Sequence, residues 1–331
     1  MMEDDDVLAD PTRDDALELT TRVTLEQVEA ALLDAATADT AVVTAAARHV
    51  IAAGGKRFRP LLVVLASQFG GEAVPEDVVK AAVVVELTHV ASLYHDDVMD
   101  EAQIRRAAPS ANARWGNTIA ILVGDFLFAR ASDLVTELGT EYVKLQARTF
   151  ARLVQGQIAE TIGPGESDAL EHYLAVMADK TGSLIATSAV FGAKLAGASP
   201  EVQSAMQAFG EEIGIVFQLS DDIIDISSDE TGKTPGTDLR EGVPTLPILL
   251  ARRSTDPADA RLRELLDGDL SADDAVAEAL GLLRRHRALD EARAEVRRRA
   301  DRARTLLAPL PDGPAKVALA DLCDTVVTRT S

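Results

Sequence analysis

The stretch AAVVVELTHVASLYHDDVMD, residues 81–100, is an apolar run that ends in the pattern Asp-Asp-x-x-Asp. A second stretch, IGIVFQLSDDIID at residues 213–225, repeats this arrangement. Residues four apart lie on one face of an α-helix, so the first and last aspartates of each motif stack above one another. Carboxylates packed into one turn repel each other, and each motif therefore requires cations.

Both motifs suit a hard divalent metal ion. Mg²⁺ usually takes one or two carboxylates, keeps several waters and completes its octahedron with substrate phosphate oxygens. Acidic helix surfaces are often merely solvated, but acidic clusters beside core-facing apolar positions are costly unless they are paired or bound to metal. Two facing motifs would clamp a diphosphate. The metal-site candidates are Asp96, Asp97, Asp100, Asp221, Asp222 and Asp225.

The composition indicates an all-α protein. Hydrophobic residues make up 47% of the 331 residues, which excludes general disorder, while aromatic residues make up only 4%. No segment shows sustained period-two alternation bounded by hairpin turns, so a sheet is not expected. Helices are predicted near residues 24–53, 58–69, 76–102, 117–138, 141–162, 168–179, 181–196, 200–227, 245–253, 271–309 with a break, and 313–328.

The charge pattern limits the partners and the organisation of the chain. A net charge of −21 argues against nucleic acid and anionic membranes, because both require a basic face. Residues 1–20 are expected to form a disordered acidic tail, followed by one domain over residues 21–331. The single cysteine, Cys323, excludes an internal disulfide. No signal peptide or membrane-spanning helix is recognised, so a cytoplasmic protein without stable membrane insertion is expected.

Short basic clusters accompany the two acidic motifs. A diphosphate bridged by metal ions remains anionic, so its site needs cations opposite the carboxylates. Most lysines and arginines are surface residues, and each cluster alone is a weak signal. Their number suits two phosphorylated ligands. The clusters are Lys56-Arg57 with Arg59, Arg105-Arg106, Lys180 before Thr181, and Lys233 within the irregular stretch 227–243, a lid candidate.

Six motifs follow one another along about residues 50–250. They are GGKRFRP at 54–60, SLYHDDVMD at 92–100, Arg105-Arg106, KTG at 180–182, FQLSDDIID at 217–225 and GKTPGTDL at 232–239. In this order, they resemble the motifs of the trans-isoprenyl diphosphate synthase (polyprenyl synthetase) family. The resemblance implies one large helical bundle around a deep central cavity, the isoprenoid synthase type I fold. It also implies a homodimer.

The resemblance further implies a Mg²⁺-dependent prenyltransferase with three ions per active site. Members join isopentenyl diphosphate head to tail (1'-4) to an allylic diphosphate, after the allylic C–O bond ionises. The aspartates are then metal ligands or their close supports. Arg105, Lys180 and Lys233 resemble the cationic partners of the allylic diphosphate, and Gln218 is a neutral donor near it. Thr181 and Gln218 are positions that stabilise the cation, while Lys56, Arg59, His89 and Arg106 resemble the isopentenyl diphosphate site.

Two positions depart from the family pattern. Ala107 replaces the glycine that often follows the paired arginines, which puts the backbone geometry of that loop in doubt. Val243 replaces a lysine common after the lid, so no phosphate contact is assigned there.

Product length depends on the residues just before the first motif. In this family a bulky aromatic residue at the fourth or fifth position before the motif gives short products, and here Ser92 and Ala91 are small. The expectation is a long all-trans product, hexaprenyl to decaprenyl, made from farnesyl or geranylgeranyl diphosphate for a quinone side chain. Phe126, Phe128 and Phe150 are candidates for the cavity floor. A geranylgeranyl or farnesyl diphosphate synthase, a class I terpene cyclase and a non-catalytic subunit remain the alternatives.

Overall fold

Sixteen α-helices make up most of the described chain. The structure is a computed structural model that describes residues 11–227, 236–270 and 272–329, with side chains from residue 16 onward. The helices are α1 (Pro11–Ala35), α2 (Ala41–Ala52), α3 (Phe58–Ala66), α4 (Pro75–Met99), α5 (Ala111–Trp115), α6 (Asn117–Thr136), α7 (Thr140–Ile162), α8 (Ala169–Met177), α9 (Ser183–Leu195), α10 (Pro200–Ser227), α11 (Thr237–Arg240), α12 (Leu246–Arg252), α13 (Ala260–Asp267), α14 (Asp273–Leu283), α15 (Arg287–Leu306) and α16 (Pro314–Thr328).

The remaining regular elements are short. A π-helical turn, Ala178–Gly182, joins α8 to α9, and a 3₁₀ turn, Pro257–Asp259, precedes α13. Two strands, β1 (Ile104–Arg105) and β2 (Ala108–Pro109), form an antiparallel hairpin just after α4. The prediction of an all-α protein is confirmed, with this hairpin as the exception within the described residues. The separate helices predicted around residue 180 are one helical segment interrupted by the π-turn.

The first helix differs from the prediction. It begins at Pro11, where a fixed φ suits a first helical turn, so the predicted disordered tail is wrong for residues 11–20. Residues 1–10 lie outside the described residues. The helix predicted over 24–53 is broken between α1 and α2, because Arg48 donates to the Leu33 carbonyl at 2.8 Å and to the Thr37 hydroxyl at 2.7 Å. An alanine-rich segment gives no local signal for such a break.

The long helices α4 and α10 each contribute to one of two hydrophobic core clusters. α4 packs against α3, α6 and α9, and α10 packs against α9 and α15. Glycines bring the backbones of α9 and its neighbours together: a Cβ on Gly210 would lie 2.4 Å from the Ala186 Cα, and one on Gly192 would lie 2.1 Å from the Val63 carbonyl oxygen. The two helices that end in the aspartate motifs are therefore held by closely packed neighbours.

Two helical segments are long and apolar enough to cross a membrane, which the sequence analysis did not anticipate. They are Pro75–Met99 and Ala169–Leu195. Within each, 72% and 67% of the most apolar window is buried inside the fold. Core helices of this length have the same composition, so their burial accounts for their apolar character without a bilayer.

The turn of the hairpin retains a glycine-like backbone at Ala107. Arg106 and Ala107 have φ angles of 53° and 60°, as the two central residues of a type I′ turn require. The left-handed conformation is strained for residues with a Cβ atom. Ala107 therefore adopts the left-handed conformation that a glycine would take at this position, at the cost of added backbone strain.

We expect Ala107→Gly to raise the free energy of unfolding by about 0.5–1 kcal/mol, because relief of the left-handed strain exceeds the added entropy of the unfolded chain. Urea denaturation measures the change. The matched control is Ala108→Gly in β2, which has no positive φ to relieve and should destabilise the protein. A lower stability for Ala107→Gly would contradict the assigned turn.

Candidate active site

The first aspartate motif lies at the carboxyl end of α4 and consists of the half-buried Asp96, the buried Asp97 and the exposed Asp100. Asp97 is fully buried, and its Oδ1 accepts from Arg105 Nε at 2.7 Å and Nη2 at 2.5 Å. Its Oδ2 is buried without a hydrogen-bond partner among the described residues. Asp97 thus ties the hairpin to the helix end. Asp96 and Asp100 are the members of the motif that remain available to a ligand.

Burial makes this acidic cluster electrostatically unfavourable on its own. It raises the pKa of Asp96 to about 6, and the neighbouring Asp100 and Glu160 act in the same direction, against Lys180. Burial likewise raises the pKa of Asp97 and of Asp100. A cation bound beside Asp96 and Asp100 would reduce the free-energy cost of keeping these carboxylates ionised.

The second motif, near the end of α10, likewise combines one buried aspartate with two that lie nearer the surface. Asp222 is buried and accepts from the Tyr173 hydroxyl, from Gln218 Nε2 at 3.4 Å and from the Leu246 backbone amide at 3.4 Å. Burial raises the pKa of Asp222 to about 6. Both carboxylate oxygens of Asp222 accept hydrogen bonds from protein donors, so Asp222 has a supporting role in the site.

Asp221 and Asp225 lie nearer the surface of this motif. Asp221 forms ion pairs with Arg329 at 2.7 Å and with Lys56 at 3.9 Å. Asp225 accepts from the Asp238 amide at 3.3 Å through its side chain and from the Gly236 amide at 3.0 Å through its carbonyl. Asp225 thus ties the end of α10 to Gly236 and Asp238 at the start of α11. Lys233, the predicted lid cation, lies outside the described residues.

Arg329 was not predicted, although it reaches the second motif from the end of α16. Its guanidinium lies 5.2 Å from the centroid of the Phe217 ring, and the Lys56 ammonium lies 4.8 Å from that centroid. Cation–π contact and ion pairing together hold both cations beside Asp221. Arg329 is separated from Asp221 by 108 positions and belongs to no motif, so only the folded chain reveals it.

The loop between α2 and α3 joins the two motifs. A Cβ on Gly55 would lie 2.9 Å from the guanidinium carbon of Arg106, and Arg106 donates to the carbonyls of Val50, at 2.9 Å, and Gly54. The next residue, Lys56, reaches Asp221. Glycine is needed at this position because any side chain would displace the arginine. The hairpin of the first motif and the end of α10 therefore lie at the same end of the bundle.

A partly buried group of cations lies behind this loop. Burial lowers the pKa of Arg59 to about 10, with a further lowering by Arg106, and Arg59 Nε has no hydrogen-bond partner among the described residues. Burial and the positive charges of Arg59 and Arg106 hold the pKa of His89 well below its ordinary value. Cations crowded together with an unused donor form a site that an anion would stabilise.

Arg57 has a different role from its neighbours in the sequence. It adopts a left-handed φ of 48° at the start of α3 and is buried against Glu29 and Glu86, with Nη1 3.0 Å from a Glu86 carboxylate oxygen. Its donors also bind the Ile51 carbonyl at 3.0 Å. Arg57 therefore fixes the loop and leaves Arg59, whose Nε has no partner among the described residues, as a donor for a ligand.

Lys180 and Thr181 belong to the π-turn between α8 and α9. The Lys180 ammonium forms an ion pair with Glu160 at 2.5 Å, and its charge acts on Asp96 and Asp100. π-Helical turns occur mostly as single insertions and are frequent at functional sites. Glu160, on α7, was not predicted, because a single glutamate near a helix end has no distinguishing sequence signal.

The carboxylates of the two motifs do not form a preassembled metal cage. Within the described part of the chain, no group of three histidine, cysteine or acidic side chains is arranged to hold a metal ion. The donor set fits Mg²⁺ nonetheless, since this ion typically uses one or two carboxylates and takes its other ligands from water and phosphate. Asp96, Asp100 and Asp221 are the carboxylates that would serve.

The predicted length-determining residues lie one turn below the first motif. Ala91 is fully buried, and its carbonyl oxygen lies 3.2 Å from the position of a Cβ on Gly124 of α6. Ser92 is 9% exposed. Phe128 lies with its ring centroid 4.4 Å from that of Phe150 and 5.6 Å from that of His95, so these rings lie beside the first motif.

Comparison with known proteins decides the family. The family model described as Polyprenyl synthetase matches residues 40–283 of the chain. This chain belongs to the polyprenyl synthetase family. The resemblance in the motifs is thereby confirmed, and so is the prediction of an enzyme of the prenyltransferase class.

Relatives of this polyprenyl synthetase cover nearly its whole length. Nonaprenyl diphosphate synthase of Mycobacterium tuberculosis is 51% identical over 284 residues, 85% of either chain. Octaprenyl diphosphate synthase of Escherichia coli is 33% identical over 316 residues, 91% of this chain and 94% of the relative. The crystal structure of geranylgeranyl pyrophosphate synthase from Corynebacterium glutamicum, complexed with calcium and isoprenyl diphosphate, is 47% identical with a TM-score of 0.86, covering 95% and 98% of the two chains. The isoprenoid synthase fold is thus confirmed.

In this polyprenyl synthetase, we expect Arg329→Met to increase the affinity for Mg²⁺ in the absence of substrate several-fold. The guanidinium 2.7 Å from Asp221 competes with a metal ion for the same carboxylate, and a charged hydrogen bond of this kind is worth about 1.5–3 kcal/mol at most. Isothermal calorimetry measures the affinity. Arg304→Met, which removes the ion pair of α15 with Asp324, is the control and should leave the affinity unchanged. An unchanged affinity in Arg329→Met would show that Arg329 does not compete.

We also expect the stabilisation by Mg²⁺ to depend on pH. Burial raises the pKa of Asp96 and of Asp222 from 3.8 to about 6 in the folded protein, so the metal-free protein loses stability as the pH rises through about 6. A divalent metal ion such as Mg²⁺ would bind the ionised form of Asp96, and protons would compete with it below that pH. Scanning calorimetry should show a small rise in Tm on adding millimolar Mg²⁺ near pH 5 and a larger one near pH 7.5. Equal shifts at both pH values would contradict this assignment.

Proposed function

We propose that this polyprenyl synthetase is a Mg²⁺-dependent polyprenyl diphosphate synthase. It would condense isopentenyl diphosphate head to tail with an allylic diphosphate, farnesyl or geranylgeranyl, to give a long all-trans polyprenyl diphosphate. The observation that supports this is the presence of two separate cation groups at one end of the bundle. One contains Lys180 beside Asp96 and Asp100, and the other contains Arg59 and Arg106 around His89. Two anionic substrates require two such groups.

The first group suits the allylic diphosphate. When bound, Mg²⁺ would offset the charge of the leaving diphosphate, and we propose three ions per site. Asp96, Asp100 and Asp221 would hold the ions, with Asp97, Asp222 and Asp225 as supports. Lys180 and Arg105 would donate to the diphosphate as its bond to the allylic carbon breaks, together with Lys233. The Thr181 hydroxyl and the Gln218 amide would orient dipoles toward the allylic cation.

The second group suits isopentenyl diphosphate. Arg59, Arg106 and Lys56 would bind its diphosphate, and the unused Arg59 Nε is a donor ready for an anionic oxygen. Burial and the neighbouring arginines hold the pKa of His89 well below its ordinary value, so the neutral ring can donate one hydrogen bond without adding to their repulsion. The alkene of the bound substrate then attacks the allylic cation, and loss of a proton completes the new allylic product.

Several observations support a long product. The relatives at 51% and 33% identity bear the names of nonaprenyl and octaprenyl diphosphate synthases. Ala91 and Ser92 place no bulky side chain below the first motif. A long all-trans chain suits a quinone side chain as its destination. A geranylgeranyl diphosphate synthase is the second candidate, because the structural relative at 47% identity has that name.

We further propose a cytoplasmic homodimer with no nucleic acid partner and no stable membrane insertion. Five large apolar side chains on α6 and α7 are exposed, which is typical of a surface that a second copy covers. They are Ile121, Leu122, Val154, Ile158 and Ile162. The net charge of −21 supports the absence of nucleic acid.

The purified chain incubated with farnesyl diphosphate and Mg²⁺ tests the proposed reaction. A synthase releases diphosphate only when isopentenyl diphosphate is also present, whereas a terpene cyclase releases it from farnesyl diphosphate alone. Activity of the chain by itself also distinguishes it from a non-catalytic subunit. Diphosphate release without isopentenyl diphosphate, or no release under either condition, would refute the proposal.

A further inference from the structure

The π-turn that contains Lys180 is in backbone contact with helices on two sides. A Cβ on Gly156 of α7 would lie 2.7 Å from the Lys180 backbone nitrogen. On the other side, a Cβ on Gly214 of α10 would lie 2.8 Å from the Gly182 Cα. A side chain at either glycine would force the π-turn to move. The position of Lys180 is therefore set by α7 and α10 together.

Arg152 links the same three elements through its side chain. It lies on α7 one turn before Gly156, on the same face of the helix. Its Nε donates to Asp179 Oδ1 at 2.8 Å, and its Nη1 donates to Glu211 Oε1 at 2.6 Å. Asp179 directly precedes Lys180 in the π-turn, and Glu211 is on α10. The planar guanidinium presents its donors in fixed directions, so it fixes the distance and the angle between the two carboxylates.

The π-turn needs contacts that stabilise its conformation, because it contains one residue more than an α-helical turn. If it relaxed to an α-helix, residues on one side of it would rotate by about 100° relative to those on the other. The Lys180 side chain would then turn away from Glu160 and from the aspartates on which its charge acts. A contact from another helix to Asp179, the residue before Lys180, can prevent that rotation.

We infer that Arg152 is a positioning residue for Lys180, acting through Asp179 and Glu211 to keep the π-turn in the conformation that presents Lys180 to the allylic diphosphate. The inference rests on the proposed function of Lys180. Arg152 itself pairs with the carboxylates of Asp179 and Glu211, and Lys180 is the substrate-binding candidate next to them. The loss of Arg152 should therefore affect the allylic substrate and leave the site of isopentenyl diphosphate unchanged.

A double-mutant cycle tests this role. We expect Arg152→Met to lower kcat/KM for farnesyl diphosphate on the order of ten- to a hundredfold, because small displacements of a binding group have effects of this size. The KM for isopentenyl diphosphate should change less than about twofold. In a Lys180→Met background the same substitution should lower kcat/KM less than about threefold, since residues that act through one another are not additive. Arg152→Lys, which keeps the charge, should recover part of the loss.

The control is Arg148→Met, an exposed arginine one turn earlier on α7 that should leave kcat/KM within about twofold. Equal losses from Arg152→Met in the wild-type and Lys180→Met backgrounds, or a lower Tm with unchanged kinetics, would overturn the inference. Calorimetric binding of an allylic thiolodiphosphate with Mg²⁺ provides a readout without turnover. If the wild-type chain made no polyprenyl product, the proposed function would fail. The coupling of Arg152 to Lys180 could still be measured by that binding.

Discussion

Asp96→Ala should lower turnover by about a thousandfold or more while leaving the fold intact. The substitution removes one of the two accessible carboxylates of the first motif, and electrostatic groups aimed at a leaving anion typically contribute effects of this order. The loss should appear in kcat measured with saturating Mg²⁺ and both diphosphates. Asp221→Ala should have a comparable effect, because Asp221 is the accessible carboxylate beside Lys56 on the opposite motif.

Stability separates this loss from unfolding. The pKa of Asp96 is raised to about 6 by burial, so above that pH its ionised form destabilises the metal-free protein. Asp96→Ala should therefore match or exceed the wild-type Tm near pH 7.5 without metal. Asp133→Ala on α6, which removes an exposed carboxylate, is the matched control and should retain full turnover. Near-normal turnover in Asp96→Ala would mean that the acidic motif is only a solvated surface.

Ser92→Phe should shorten the product from a long polyprenyl chain to one of a few isoprene units. A phenyl ring one turn below Asp96 would occupy the space through which the growing tail must pass. Ser92 is the better position for this test, because its side chain is 9% exposed while that of Ala91 is fully buried. Ala91→Phe should also shorten the product, with an added loss of stability of about 1–3 kcal/mol from overpacking against α6.

The product distribution is measured by mass spectrometry of the dephosphorylated polyprenols. Val42→Phe, an exposed aliphatic residue of α2 enlarged in the same way, is the control and should leave the distribution unchanged. Turnover per condensation step should stay within about tenfold of the wild type for Ser92→Phe, since the change lies below the groups that ionise the substrate. An unchanged product length in both variants would refute the assignment of the tail to this side of α4.

The sequence predicted those features whose signal is local. Each aspartate motif lies within one helical turn, and the helix periods around them are strong, so α4 and α10 were located to within a few residues. The start of α1 and the break after Ala35 were missed. The break depends on Arg48 binding Leu33 and Thr37 from the next helix.

For a similar reason, the different roles of the six aspartates could not be predicted from the sequence. All six aspartates look alike in the motifs, but Asp97 and Asp222 are buried with Arg105 and Tyr173 as partners. Tyr173 lies 49 positions from Asp222. Burial and distant partners decide which carboxylates face a ligand, and both are properties of the tertiary structure.

The most direct test of the proposed function is the mass of the polyprenols made by the purified wild-type chain from farnesyl diphosphate and isopentenyl diphosphate with Mg²⁺. The two proposed diphosphate sites at one end of the bundle, with small residues below the first, predict products in the hexaprenyl to decaprenyl range that disappear when isopentenyl diphosphate is omitted. Products that end at geranylgeranyl diphosphate would contradict the length assignment, and cyclised hydrocarbons made from farnesyl diphosphate alone would contradict the proposed reaction.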